Sequence, residues 1–189
     1  MSATILSPRL LRFRAAEKAD IPAFRGMAER TWRKSYAAIL SPSQMDFMIE
    51  RMYAPEVIAK EIEQGVIWEL ASDEDGTIGF HSCVFDPAEQ SVKLSKLYVL
   101  PEKQGQGRGQ ALLERVRDVA VSFGARKIWL QVNKNNAAAI RAYERAGYHI
   151  ERAAVFDIGS GFVMDDFIME LALPLSETLS PKETVLAGT

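Results

Sequence analysis

The chain has 189 residues, of which 48% are hydrophobic and 25% charged, and a formal charge of −2 at pH 7. That length fits a single domain of about 100–200 residues, and the composition supplies a core and argues against disorder. A pI near 5.8 gives no basic field to draw nucleic acid or an anionic membrane, so the expected partner is a small molecule.

From the N-terminus, Arg9, Arg12 and Arg14 stand where a signal peptide needs its apolar run. No stretch of the chain approaches the roughly 18 apolar residues of a membrane span. A soluble, cytoplasmic protein is expected. Leu10–Arg14 reads as a short strand. Asp20 then caps a helix near 20–35, with Pro22 in its first turn and Ile21, Phe24, Met27, Ala28, Thr31 and Trp32 at helical spacing. Ser41-Pro42 opens a second helix through Met45, Met48, Ile49 and Met52, and Pro55 opens a third that stops at Gly65.

The period then changes. Val66–Ser72 and Thr77–Phe85 read as antiparallel strands around the turn Asp73-Glu74-Asp75-Gly76. The second of these carries Cys83, the single cysteine. An internal disulfide is therefore excluded, a thiol metal site is not expected, and a reducing compartment suits the chain. Ser91–Val99 is a third strand, in which Val92 and Leu94 occupy even positions but Leu97 and Val99 odd ones. A β-bulge at Ser95-Lys96 absorbs that slip; a strand buried on both faces at its end gives the same pattern.

Gln104-Gly105-Gln106-Gly107-Arg108-Gly109 follows and leads into a helix with apolar positions Leu112, Leu113, Val116, Val119, Ala120 and Phe123, ended by Gly124. Glycines between a strand and a helix let the backbone approach a phosphate, and the helix start adds free N–H groups and its positive dipole end. The segment predicts a pyrophosphate site or, read alone, a flexible loop. Gln110 stands where a dinucleotide fingerprint needs its third glycine, and the Lys-Ser/Thr pair of a nucleotide P-loop is missing. Lys127–Val132 is the next strand, Asn136–Ala146 a helix stopped by Gly147, and His149–Phe156 with Phe162–Leu173 a final strand pair. Residues 174–189 form a polar tail behind a domain of residues 1–173.

Leu97-Tyr98-Val99-Leu100-Pro101, Gln104-x-x-Gly107-x-Gly109 and Asn136-x-x-Ala139-x-x-x-Tyr143-x-x-x-Gly147-Tyr148 together resemble the GNAT superfamily of acetyl-CoA-dependent N-acetyltransferases. The resemblance extends over roughly residues 10–173 and is partial toward bacterial polyamine acetyltransferases. It implies an α/β (α+β) fold with a mixed, mostly antiparallel central sheet, a bulged strand and flanking helices. It also implies acetyl-CoA as co-substrate, no metal, and a small amine or peptide amine as acceptor, and it leaves a homodimer open. The pantetheine arm would pair along Leu97, Tyr98 and Val99, where a backbone N–H polarises the thioester carbonyl. The pyrophosphate would lie on Gln104, Gly105, Gln106, Gly107, Arg108 and Gly109. Asn136 would contact pantetheine or cap its helix, two compatible roles.

Tyr143 matches the family tyrosine that protonates the departing thiolate; filling the inner face of its helix is the plainer alternative. Cys83, in a strand interior with no base nearby, is not expected to be a nucleophile. Ser95 stands where many relatives carry a glutamate, which leaves the general base open, with His81 acting through water as one candidate and no role for His149. Asp46, Glu50, Asp157, Asp165 and Asp166 fall in the segments that form the family's acceptor pocket. They either bind a cationic amine or remain solvated. A non-catalytic acetyl-CoA-binding module and a dinucleotide-binding protein are the competing readings.

Overall fold

A computed structural model of the chain describes residues 11–174. In chain order its elements are β1 (Arg12–Ala15), α1 (Ile21–Ser35), α2 (Pro42–Tyr53), α3 (Pro55–Glu63), β2 (Ile67–Asp73), β3 (Gly76–Asp86), β4 (Ser91–Val99), α4 (Arg108–Ser122), β5 (Lys127–Asn133), α5 (Ala137–Arg145), β6 (His149–Gly159) and β7 (Phe162–Ala172). The strands form one sheet in the order β1-β2-β3-β4-β5-β7-β6, antiparallel at every pairing except β4–β5. This is the mixed, mostly antiparallel sheet with flanking helices that the sequence led us to expect. The tail at 175–189 lies outside the described residues, as does Leu10.

Helical and strand periodicities dictate the two layers. On one face, Phe24, Trp32, Met48 and Ile49 from α1 and α2 pack with Ile58 of α3 onto Trp68, Leu70 and Phe80 of the sheet. On the other, Leu113, Val116 and Ala120 of α4 cover Val92, Leu94, Ile128, Leu130 and Met169. Each strand thus divides its alternating side chains between two cores. Two turns are tighter than expected. Asp73 pairs directly with Gly76, leaving Glu74-Asp75 as the turn, and the Asp73 carboxylate accepts the Asp75 N–H at 2.9 Å. At the other hairpin β6 runs on to Gly159, and Ser160 and Gly161 turn the chain with φ of 56° and 76°, the double positive φ that matches strand twist.

The parity slip in β4 is a bulge. Lys96 pairs with Ser82 and Leu94 with Cys83, so Ser95 has no partner on β3. Val92 and Leu94 before it, and Leu97 and Val99 after it, consequently share the α4 face. Opposite this stretch a Cβ on Gly79 would lie 2.2 Å from the Tyr98 carbonyl oxygen, so β3 and β4 approach here only because residue 79 has no side chain. On its other edge β4 pairs with β5 only from Ser91↔Lys127 to Leu94↔Leu130. Past Leu94 the two parallel strands splay, and the backbone edge of 95–99 faces an opening instead of a neighbour.

Candidate functional site

That opening is a cleft of about 900 Å³ that runs from the bulge to the glycine-rich loop. Ser95–Val99 form one wall, and Gln131, Val132, Asn136, Ala139 and Tyr143 form the other. Gln104, Gly105, Gly107 and Gly109 close its far end. Gly107 is the N-cap of α4 with φ of 76°, and Gly105 has φ of 79°. A Cβ at either position would meet no protein atom within 4 Å, so the space above the loop is free for a ligand. The first intrahelical bond runs from the Ala111 N–H to the Gly107 carbonyl at 3.1 Å, which leaves the N–H groups of 107–110 without intrahelical acceptors. An unpaired strand edge leading into an anion-receptive helix start fits an extended ligand with a pyrophosphate, as acetyl-CoA has.

The side chains of the loop have other duties. Gln104 donates from Nε2 to the Val99 carbonyl at 2.9 Å and so clamps the end of β4 to the loop. Arg108 is buried and directed away from the cleft, donating to the Asp73 carboxylate at 2.7 Å, the Lys103 carbonyl at 3.1 Å and Oε1 of Gln106 at 2.5 Å. Neither Gln106 nor Arg108 lines the cleft, unlike Gln104, Gly105, Gly107 and Gly109 beside them. Leu97 and Val99 direct their side chains toward α4 and Tyr98 toward α1 and α2, so these three offer main chain to the cleft. Asn136 caps α5, its side chain accepting the Ala139 N–H at 3.2 Å, and it also lies on the cleft wall. Burial pushes the Tyr143 phenol well above its ordinary range, reinforced by the neighbouring phenols of Tyr36, Tyr98 and Tyr148. Its hydroxyl therefore remains a proton donor at neutral pH.

A second cavity, of about 340 Å³, lies between α2, β4 and β7. It shares Tyr36, Leu94, Ser95, Lys96, Tyr98 and Gln131 with the cleft, so the two spaces meet at the bulge. Its charged lining is mixed: Glu61 and Asp166 with Arg51, Lys93 and Lys96. Lys96 is buried, with its ammonium 3.0 Å from the Glu61 carboxylate and 4.7 Å from the Trp68 ring. Of the expected acceptor carboxylates, only Asp166 lines this cavity. Asp46 pairs with Arg33 and Glu50 with Arg25 at the surface, Asp165 pairs with Lys134, and Asp157 accepts the Gly159 N–H at 2.8 Å.

His81 does not fit the role of a water-linked base. It is fully buried, its Nε2 is 3.0 Å from Glu69, and its register opposite Leu97 places it on the α4 face, away from both cavities. Cys83 is fully buried and burial pushes its thiol up to about 12, so it is a core residue. Tyr36, Glu61, Lys96 and Gln131 were not singled out in the sequence. Glu61 sits on a helix whose periodicity marks only the apolar face, Tyr36 directly follows α1, and Lys96 was marked only as part of the slip.

Residues 28–148 match the model of the acetyltransferase (GNAT) family. An uncharacterised N-acetyltransferase of Mycobacterium tuberculosis is 27% identical over 150 residues, which are 79% of this chain and 96% of the relative. Among solved structures, the PaiA N-acetyltransferase of Thermoplasma acidophilum in complex with coenzyme A superposes with a TM-score of 0.74 at 22% identity, over 87% of this chain and 99% of that one. Spermidine N-acetyltransferase of Vibrio cholerae in complex with CoA and spermine superposes with a TM-score of 0.64 at 22% identity, over 86% and 95%. These two share the fold, and neither identity singles out polyamine acetylation. The matched segment contains the bulged strand, the glycine-rich loop and the Asn136–Tyr143 helix that together wall the cleft, and the chain accordingly belongs to the acetyltransferase (GNAT) family, whose chemistry is transfer of an acetyl group from acetyl-CoA to an amine.

Proposed function

We propose that this protein acetylates a small amine by direct attack on acetyl-CoA within a ternary complex. The observation that carries the reading is the meeting of the two cavities at the bulge, because it lets donor and acceptor reach one point from opposite sides. In this reading the backbone N–H groups of Leu97–Val99 hold the pantetheine arm and one of them polarises the thioester carbonyl. The loop from Gln104 to Gly109 receives the pyrophosphate through main-chain N–H groups. Tyr143 gives its phenolic proton to the departing sulfur; burial keeps that proton on the phenol until negative charge develops on the sulfur beside it.

The acceptor cavity is not a purely acidic one. Arg51, Lys93 and Lys96 stand beside Glu61 and Asp166, a lining that repels a long polycation more than a monoamine with a neutral or anionic tail. We therefore place polyamines below amino-acid-like and peptide amines as acceptors, and the activity in the cytoplasm. Thiol release from acetyl-CoA across polyamines, amino acids, aminoglycosides and peptide N-termini tests this directly. Turnover with one class identifies the acceptor. Tight acetyl-CoA binding without thiol release from any amine would instead show a binding module.

A further inference from the structure

The residues around the bulge offer no carboxylate at position 95, where Ser95 stands, and the cavity beside it contains two acids, Glu61 and Asp166. Glu61 is occupied: its two oxygens lie 3.1 and 3.0 Å from the Lys96 ammonium and it also accepts the Trp68 indole N–H at 3.1 Å. Asp166 is 3% exposed. Among the described residues it has neither a hydrogen-bond nor an ion-pair partner, since the neighbouring cation Lys134 pairs with Asp165. A buried carboxylate with no partner, lining a cavity, is costly to the fold unless a ligand cation completes it.

We infer that Asp166 is the general base of the transfer, the group that receives the acceptor ammonium and removes its proton before attack. The inference rests on the acetyltransferase reading above. The ammonium N–H proton passes to the Asp166 carboxylate. The freed lone pair forms the C–N bond at the thioester carbonyl carbon while the C–S bond breaks, and the sulfur leaves with its electron pair and takes the Tyr143 proton. The amide nitrogen sheds its second proton to water, Tyr143 is reprotonated from water and Asp166 releases its proton to water. One ammonium and one thioester thus yield one amide, one thiol and one net proton.

Burial, aided by the neighbouring Asp165 charge and opposed by Lys134, pushes the Asp166 carboxyl up to about 6. At pH 7–8 it is ionised yet more basic than an ordinary aspartate. The other titratable groups on its cavity are Tyr36 just after α1, Arg51 from α2, Glu61 from α3 and Lys93, Lys96 and Tyr98 from β4. Burial pushes both phenols up and both lysines down, and the Lys96 ammonium lies 3.0 Å from the Glu61 carboxylate. Asp166 thus faces a cavity whose other groups include two lysines that burial shifts toward the neutral form.

The test is Asp166→Asn, read two ways. Without any ligand, the variant should melt higher than wild type at pH 8 and equally near pH 4, because only the ionised carboxylate burdens the fold. With acetyl-CoA and the best amine, kcat should fall about 10²–10⁴-fold at pH 7.5, the wild-type rise in kcat across about pH 6 should disappear, and the acetyl-CoA-induced rise in Tm should remain. A variant that keeps the wild-type kcat and pH profile, that fails to fold, or whose Tm difference ignores pH overturns the assignment while leaving the acetyltransferase reading in place. A wild-type protein that acetylates no amine overturns both.

Discussion

Nη2 of Arg108 lies 2.7 Å from Oδ2 of Asp73, and both side chains are buried. The contact joins the first turn of α4 to the end of β2, and Lys103 reaches the same carboxylate at 3.2 Å. The glycine-rich loop is thereby fixed to the sheet. Asp73→Asn leaves a buried guanidinium without its counter-charge and releases that anchor. We expect a lower Tm and an acetyl-CoA affinity weaker by roughly tenfold, with kcat at saturation nearly unchanged. Titration calorimetry beside steady-state kinetics separates the two effects; unchanged affinity would mean that the loop holds its shape without the anchor.

Gly107 combines a φ of 76° with open space above it. In Gly107→Val the left-handed conformation costs about 1–2 kcal/mol, but the new side chain meets no protein atom, so the fold should survive. Acetyl-CoA at 100 times its dissociation constant should stabilise wild type by about 2.7 kcal/mol, and the variant should lose most of this. NAD should stabilise neither. Thermal melts of both proteins without ligand, with acetyl-CoA and with NAD decide, and stabilisation by NAD alone would revive the dinucleotide reading.

The Tyr143 ring packs against Tyr148 at a centroid distance of 5.8 Å, a contact that phenylalanine can keep. Tyr143→Phe should therefore leave fold and acetyl-CoA affinity intact and lower kcat by about 10²–10⁴-fold. The loss should shrink with acyl donors of more acidic thiols. Wild-type turnover by the variant, measured where chemistry limits the rate, would make the hydroxyl structural.

Burial alone would raise the Glu69 carboxyl, but hydrogen bonds from Arg115 and His81 outweigh it and hold the group at about 2. An acid lowered on folding contributes stability above its ordinary pKa and loses it as pH falls through the folded value. Stability should thus decline between about pH 4.5 and pH 2, and Glu69→Gln should flatten that part of a Tm–pH curve. An unchanged acid limb in the variant would assign the loss to other carboxylates.

The layers were legible because each element carried its period without interruption, and the bulge because Val92, Leu94, Leu97 and Val99 changed parity within one strand. The loop was legible as backbone chemistry, since glycine spacing reports where the main chain is free. Side-chain partners across the fold were not. Arg108 is bonded to Asp73, which lies 35 residues away in sequence, and nothing local to either residue announces the other. Asp165 and Asp166 are adjacent and alike in sequence, yet strand alternation gives one a lysine partner and directs the other into a cavity. His81 stood as a candidate base because strand position alone does not reveal that it is fully buried against Glu69.

The sheet is two half-sheets, β1–β4 and β5–β7–β6, that share four residue pairs between Ser91 and Leu94. Elsewhere helices span the division: α4 covers both halves on one face, while on the other α2 reaches across with Gln44 donating to the Val163 carbonyl at 2.8 Å and Arg51 to the Ile158 carbonyl at 2.7 Å. A ligand bound along 95–99 would supply the missing strand edge and make the division continuous. Amide hydrogen exchange at 95–99 and 131–133 should then slow together when acetyl-CoA binds, because the co-substrate completes a cooperative unit that the polypeptide alone leaves open along one line.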